Sequence, residues 1–190
     1  MRDLFPVLRV LGVLLVFFAC SMAVPLAVSW FVQDGVWQAW PAAMLTTMVV
    51  GLLLWLLMRQ HKQELHPRHG VILVTLVWVC LPLSAALPMM LIYHQQGEHL
   101  SFTHAYFEAV SGLTTSGASV LRNLDGLPIS LHIWRTFLQW LGGMGILILA
   151  VAIMPLLGVG GSQLFRAEAA GPVKDTKLTP RITSTAKGLW

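Results

Sequence analysis

Charged side chains are scarce in this sequence. Asp, Glu, Lys and Arg make up 11% of 190 residues, where an average soluble protein carries about 25%. So few charges cannot cover the surface of a soluble fold, so a soluble globular domain is excluded. A nucleic-acid partner is excluded with it, despite a net charge of +4. Mean hydropathy of +0.73 excludes a disordered chain as well. Cysteine is nearly absent. Cys20 and Cys80 are too few for a disulfide scaffold, and both sit in apolar runs, where they read as small buried residues. Catalytic punctuation is missing too. No Lys-Ser/Thr follows Gly158, Gly160 and Gly161, so there is no phosphate-binding P-loop. Ser111-Gly112 and Ser116-Gly117 lie in no G-x-S-x-G pattern and have no placed histidine, so no hydrolase is read from them. The sequence reads as a non-enzyme, with no cofactor.

What is present is long uncharged runs. Val10–Gln33, Gly35–Met58, His69–Gly97 and Thr136–Phe165 each lack Asp, Glu, Lys and Arg for at least 24 residues. A helix crossing a bilayer needs about 20 apolar residues, and a backbone in lipid must satisfy its own hydrogen bonds. Four spanning helices are therefore predicted, in an all-α polytopic membrane protein. The first run is too long for the h-region of a cleaved signal, and Phe17-Phe18-Ala19-Cys20 matches a lipoprotein box poorly. With the N-terminus inside, segments 1–9, 59–68 and 166–190 hold ten of the twelve Lys and Arg. Only Arg122 and Arg135 fall outside, so both termini are expected to be cytoplasmic. Asp34 and Gln96 then face outward and Lys62 inward. Trp30, Trp37, Trp40, Tyr93, Tyr106 and Trp134 are expected to form an outer aromatic belt. His61, His66 and His69 join the inner basic loop.

The outer segment 98–135 carries the information. Ser101 or Thr103 can cap a helix through Phe102–Val110, and Gly112 can end it. At about ten residues this helix reaches roughly half-way through a bilayer core. The stretch Leu113–Val120 that follows is small, hydroxyl-rich and uncharged. Two readings stand here. It is an ordinary polar loop, or a re-entrant strand whose carbonyls replace the water around a cation such as K⁺. Gly117 can take the backbone angles that aim such a carbonyl. Glu108 in the short helix either faces water or forms a buried ion pair with Arg135. Gly142, Gly143 and Gly145 suit close helix packing or a flexible inner helix. His94, His99 and His104, five residues apart, do not share a helix face, and with His132 they read as interfacial polar residues rather than metal ligands.

Three motifs in order carry a resemblance. Phe107–Ser119, with Ser116-Gly117 near its end, resembles the first pore loop of TrkH/TrkG-type potassium-uptake subunits of the Trk/Ktr/HKT superfamily. Trp134–Gly145 and Gly158–Glu168, the latter followed by Lys177-Leu178-Thr179-Pro180-Arg181, resemble that family's next two segments. The resemblance implies an N-terminal helix pair at 1–60, a cytoplasmic basic loop at 61–69 and a K⁺-channel-like repeat at 70–160. That repeat is membrane helix, pore helix (about 102–112), filter (113–119) and membrane helix, and 161–190 is a cytoplasmic segment. It also implies that Thr114, Thr115, Ser116 and Gly117 supply one quarter of a K⁺ filter through their backbone carbonyls. Other implications are K⁺ uptake across a bacterial inner membrane, passive or symport-coupled, and a homodimer of the full-length form. A TrkA-like nucleotide-binding ring is expected to dock on the segment holding Leu164, Phe165, Arg166, Lys174, Lys177 and Arg181; the alternative is a basic loop that touches anionic membrane lipid. Family members carry four repeats and this sequence one. It is therefore expected to be an N-terminal fragment that needs the remaining repeats or other copies; the alternative is a truncated or split assembly piece that does not transport.

Overall fold

The computed structural model of the chain describes residues 4–59 and 67–153. All regular structure among the described residues is helical: α1 (Phe5–Ser21), α2 (Ala23–Val32), α3 (Ala39–Met58), α4 (Pro67–Gln95), α5 (Phe102–Leu113) and α6 (Ile129–Ile153), with a 3₁₀ turn at Leu124–Gly126. The chain divides into two compact units, Met1–Trp140 and Leu141–Trp190. Of the second, only the turns of α6 up to Ile153 fall among the described residues. Among the described residues, three segments are long and apolar enough to cross a membrane: Phe5–Val32, Ala39–Met58 and His69–Gln95. The fourth expected span begins in α6, and its part beyond Ile153 lies outside the described residues.

The first expected span is two helices in series, α1 and α2, interrupted at Met22. Pro25 explains the break. It has no N–H for the Ser21 carbonyl, and its ring crowds that same carbonyl. At the break the Met22 N–H turns to the Ala19 carbonyl at 3.1 Å, and the Ser21 hydroxyl donates to the Phe18 carbonyl at 2.6 Å. In α4 two prolines, Pro82 and Pro88, are kept within a continuous helix. Their missing N–H groups leave the Trp78 and Ser84 carbonyls without helical donors; beside the second of these, Trp134 Nε1 of α6 donates to the Ala85 carbonyl at 3.2 Å.

The core of the first unit starts from the stripe Leu11, Leu15 and Phe18 on α1, continued by Met22 at the break, which is buried at helical spacing. Cys20 falls off that stripe and is exposed, and Cys80 is half-buried, so neither is the enclosed core cysteine that the sequence suggested. Against this stripe α3 sets Trp40, Ala43, Thr47 and Gly51, mostly small residues. The two backbones meet where Gly12 crosses Gly51. A Cβ at Gly12 would lie 2.7 Å from the Gly51 carbonyl oxygen, and one at Gly51 would lie 2.8 Å from that of Gly12. Only glycine at both positions permits this approach.

The aromatic belt needs correction. Trp30 and Trp37 are exposed and pack edge-on at 5.5 Å. Trp40 and Trp134 are fully buried, in T-shaped contact at 5.9 Å, and Tyr93 is buried as well. Phe18 of α1 adds a third ring against Trp134, at 5.6 Å. A buried indole needs a partner for its N–H. Trp134 has the Ala85 carbonyl, and Trp40 Nε1 donates to the Ser130 hydroxyl at 3.2 Å. These tryptophans are core residues tying the helix pair to α6. His69 is also buried, not a surface member of a basic loop.

Asp34 completes the tie. Its carboxylate accepts the Ser29 hydroxyl, the Val36 N–H at 3.3 Å and the Ser130 N–H at 3.0 Å. Ser130 lies in the first turn of α6, where backbone N–H groups lack partners within the helix and negative charge is favoured. Burial alone pushes the Asp34 carboxyl up. The bonds from Ser130, Ser29 and Val36 together outweigh it and hold the group below the usual carboxylate value.

Candidate functional site

α5 starts where Ser101, extended at φ −64° and ψ 147°, accepts the His104 N–H on its hydroxyl at 3.3 Å. The helix runs one residue past Gly112, so that glycine does not terminate it. Gly112 serves a close approach instead: a Cβ there would sit 3.1 Å from the Leu138 side chain of α6. Termination is carried by Thr115, at φ 58°. The Thr115 N–H donates to the Gly112 carbonyl at 2.9 Å and the Ser116 N–H to the Ser111 carbonyl at 3.1 Å. These two bonds form a Schellman motif with threonine in its left-handed position, where glycine is usual. For a β-branched residue that conformation is an outlier. α4 ends the same way with the expected residue: Gly97 is at φ 77°, and the Glu98 N–H reaches the Tyr93 carbonyl at 2.9 Å.

Beyond the motif the chain is exposed from Thr114 to Val120. Gly117 has φ 69°, so a side chain there would be strained, although the nearest atom to an added Cβ is 3.9 Å away, on Gln139. The outgoing half of the loop is tied back to α5. Glu108 is buried at 3% exposure. Its Oε1 accepts the Ser119 hydroxyl at 2.7 Å, the Val120 N–H at 2.6 Å and the Leu121 N–H at 3.3 Å. Its Oε2 faces Arg135 Nε of α6 at 3.2 Å. The carboxylate thus joins helix, loop and α6. One turn further along α5, the Ser111 hydroxyl lies 2.6 Å from the Ala118 carbonyl oxygen and 2.9 Å from the Ser116 hydroxyl. Between the tied flanks, the carbonyls of Thr114, Thr115, Ser116 and Gly117 accept no hydrogen bond among the described residues.

The structure therefore brings Glu108 and Arg135 together and sets the four candidate filter residues in one exposed turn. Ser111, Ser119 and Thr115 were missed as structural anchors; a hydroxyl in a small-residue run gives no sign of which bonds it makes. Gly142, Gly143 and Gly145 all lie in α6. A Cβ at Gly145 would meet nothing within 4 Å among the described residues. His94, His99 and His104 are exposed, and His132 bonds the Leu124 carbonyl at 2.8 Å. No group of three metal-ligating side chains occurs among the described residues. The docking segment holding Leu164, Phe165, Arg166, Lys174, Lys177 and Arg181 lies outside them, as do His61 and His66.

Known proteins match this chain. A family model described as TrkH, cation transport protein, matches residues 38–190. The Trk system potassium uptake protein TrkH of Halomonas elongata is 49% identical over 184 residues, covering 97% of this chain and 38% of that protein. TrkH of Escherichia coli K12 is 44% identical over 182 residues, covering 96% of this chain and 37% of its own length. The crystal structure of the potassium transporter TrkH from Vibrio parahaemolyticus superposes with a TM-score of 0.79 at 38% identity, covering all of this chain and 36% of that one. This chain thus spans under two fifths of the length of these relatives, which are named as transporters and not as enzymes. On the family match and these identities, the chain is a membrane protein of the TrkH family of cation transport proteins.

Proposed function

We propose that this chain contributes to the pore-forming subunit of a Trk-type potassium uptake system in a bacterial inner membrane. Residues 1–60 form its N-terminal helix pair, and 70–160 form one repeat of membrane helix, pore helix, filter and membrane helix. Thr114, Thr115, Ser116 and Gly117 line one quarter of the K⁺ filter with their carbonyls. The observation that carries this reading is the set of four consecutive carbonyls without hydrogen-bond donors in a loop otherwise tied down at both ends. Buried or membrane-level carbonyls need partners, and a partly dehydrated cation is the partner they fit. α5 supports the same reading electrostatically. If it enters from outside, its C-terminal, partly negative end points inward next to those carbonyls. The remaining coordination comes from the rest of the subunit, which acts as a homodimer. A TrkA-like nucleotide-binding ring docks on the segment after Gly161.

The test replaces the matching segment of a full-length TrkH relative with residues 1–190 of this chain, in cells that depend on it for K⁺. Gly117→Ser is expected to abolish growth at low K⁺ or to let Na⁺ compete, because a side chain at φ 69° forces the peptide to turn. Unchanged uptake and unchanged Na⁺ exclusion at normal protein levels would show that this turn is not the filter.

The topology has its own test. In the same chimera without Cys20 and Cys80, an impermeant thiol reagent is expected to label Gln96→Cys from outside and not Lys62→Cys. Asp34 is unsuitable as an outer reporter because its carboxylate holds the first turn of α6; Gln38, exposed at the head of α3, takes its place. Labelling at position 62 in intact cells would overturn the orientation.

A further inference from the structure

Resting on the filter reading above, we infer that Ser111 is a positioning residue that sets the outer limit of the filter by withdrawing the Ala118 carbonyl from the ion. The argument begins with proton counting. A serine hydroxyl has one proton to donate, and a carbonyl oxygen only accepts. The 2.6 Å contact between Ser111 Oγ and the Ala118 oxygen therefore uses the Ser111 proton. The 2.9 Å contact with Ser116 must then be donated by the Ser116 hydroxyl, with Ser111 Oγ as acceptor. Ser111 is 5% exposed, so its hydroxyl has little water to exchange these partners for. Its backbone carbonyl meanwhile receives the Ser116 N–H at 3.1 Å and the Gly117 N–H at 3.4 Å.

One residue of α5 thus holds the loop on both sides of Gly117. Ser111 and Glu108 stand three apart, on one face of the helix. Together they take Ala118, Ser119, Val120 and Leu121 back to α5. Ala118 is where direction changes: Gly117 leaves its carbonyl free, and Ala118 has its carbonyl turned toward the helix. Remove the Ser111 hydroxyl and the Ala118–Ser119 peptide has no donor on the α5 side. Its carbonyl then becomes a fifth, mobile oxygen beside the four. A mobile oxygen can close in on a smaller cation, so such a set discriminates less between cations that differ in size and hydration.

The experiment uses the full-length chimera and measures K⁺ (or Rb⁺) uptake against rising Na⁺. Ser111→Ala is expected to lower the Na⁺ concentration that halves uptake by about tenfold, the factor that losing one hydrogen bond of this kind produces. Ser111→Thr keeps the hydroxyl and is expected to stay within about twofold of the parent on the same scale. Should Ser111→Ala fail to accumulate, Ser111→Cys, with a weakly donating thiol, is read in the same assay and is expected to fall between the two. A parental Na⁺ response in Ser111→Ala (or Ser111→Cys), or an equal loss in Ser111→Thr, overturns the inference. Gly117→Ser separates this from the underlying reading. If it shifts the Na⁺ response and Ser111→Ala does not, the filter stands and the positioning role falls. If neither shifts it, the filter reading itself falls.

Discussion

Glu108→Ala is expected to lower the melting temperature of the full-length chimera and cut its K⁺ uptake at least tenfold. The carboxylate is 3% exposed and accepts from three groups of the outgoing loop while facing Arg135. Its removal leaves a guanidinium without its counter-charge and frees Ser119, Val120 and Leu121 together. Breaking a buried ion pair by deleting one partner costs about 3–5 kcal/mol. The Arg135 side chain keeps 18% exposure and the freed N–H groups can reach water, so the lower end, roughly 3 kcal/mol, is expected. Glu108→Gln retains one acceptor oxygen for the loop but sets an amide against Arg135, and is expected to be intermediate. Differential scanning fluorimetry in detergent and uptake in cells read the two effects separately. A melting temperature and uptake equal to the parent's in Glu108→Ala would mean that the carboxylate braces nothing.

That ion pair was one of two readings open from the residues alone, because an acid in a short outer helix and a single arginine at the head of the next span have few other partners. α5 was legible for a similar reason: Ser101 before an aromatic run is a local signal, and the hydroxyl does accept the His104 N–H. Gly97 likewise marks the end of α4 by its residue type. Thr115 does the same task for α5 in a conformation that its side chain disfavours, so propensity pointed to Gly112, three residues early. Tertiary packing set that outcome, and no local rule encodes it. The tryptophans failed in the same way. Hydropathy places Trp40 and Trp134 near a membrane boundary, but whether they face lipid or one another depends on where α6 lands. Asp34 looked like a free outer charge; its partner Ser130 is 96 positions away. Pro25 was visible, but so were Pro82 and Pro88, which leave α4 continuous; which proline interrupts its helix depends on packing that no local signal encodes.

Gly51→Leu is expected to have the largest structural effect of any single change in the helix pair. Two of its three nearest neighbours at the crossing are backbone atoms: the Gly12 carbonyl oxygen at 2.8 Å from an ideal Cβ and the Val16 nitrogen at 3.0 Å, beside the Val16 Cγ2 at 3.0 Å. Side chains can rotate away from an intruding methyl, but a helical backbone cannot, so α1 and α3 must move apart. Overpacking a well-filled site costs about 1–3 kcal/mol. Gly51→Ala is expected within that range, and Gly51→Leu above it. Separation also acts at a distance. Phe18 on α1 and Trp40 on α3 both pack on Trp134, and the loop between α2 and α3 carries Asp34 to Ser130. A displaced helix pair therefore releases the first turns of α6, which carry Arg135 and so the brace on the loop. Uptake should fall along with thermal stability. Gly70→Leu is the matched control, since a Cβ at Gly70 meets nothing within 4 Å among the described residues; replacing a helical glycine there should be neutral or stabilising by about 0.5–1 kcal/mol. If Gly51→Leu and Gly70→Leu melt at the same temperature, α1 and α3 do not cross in close contact at Gly12.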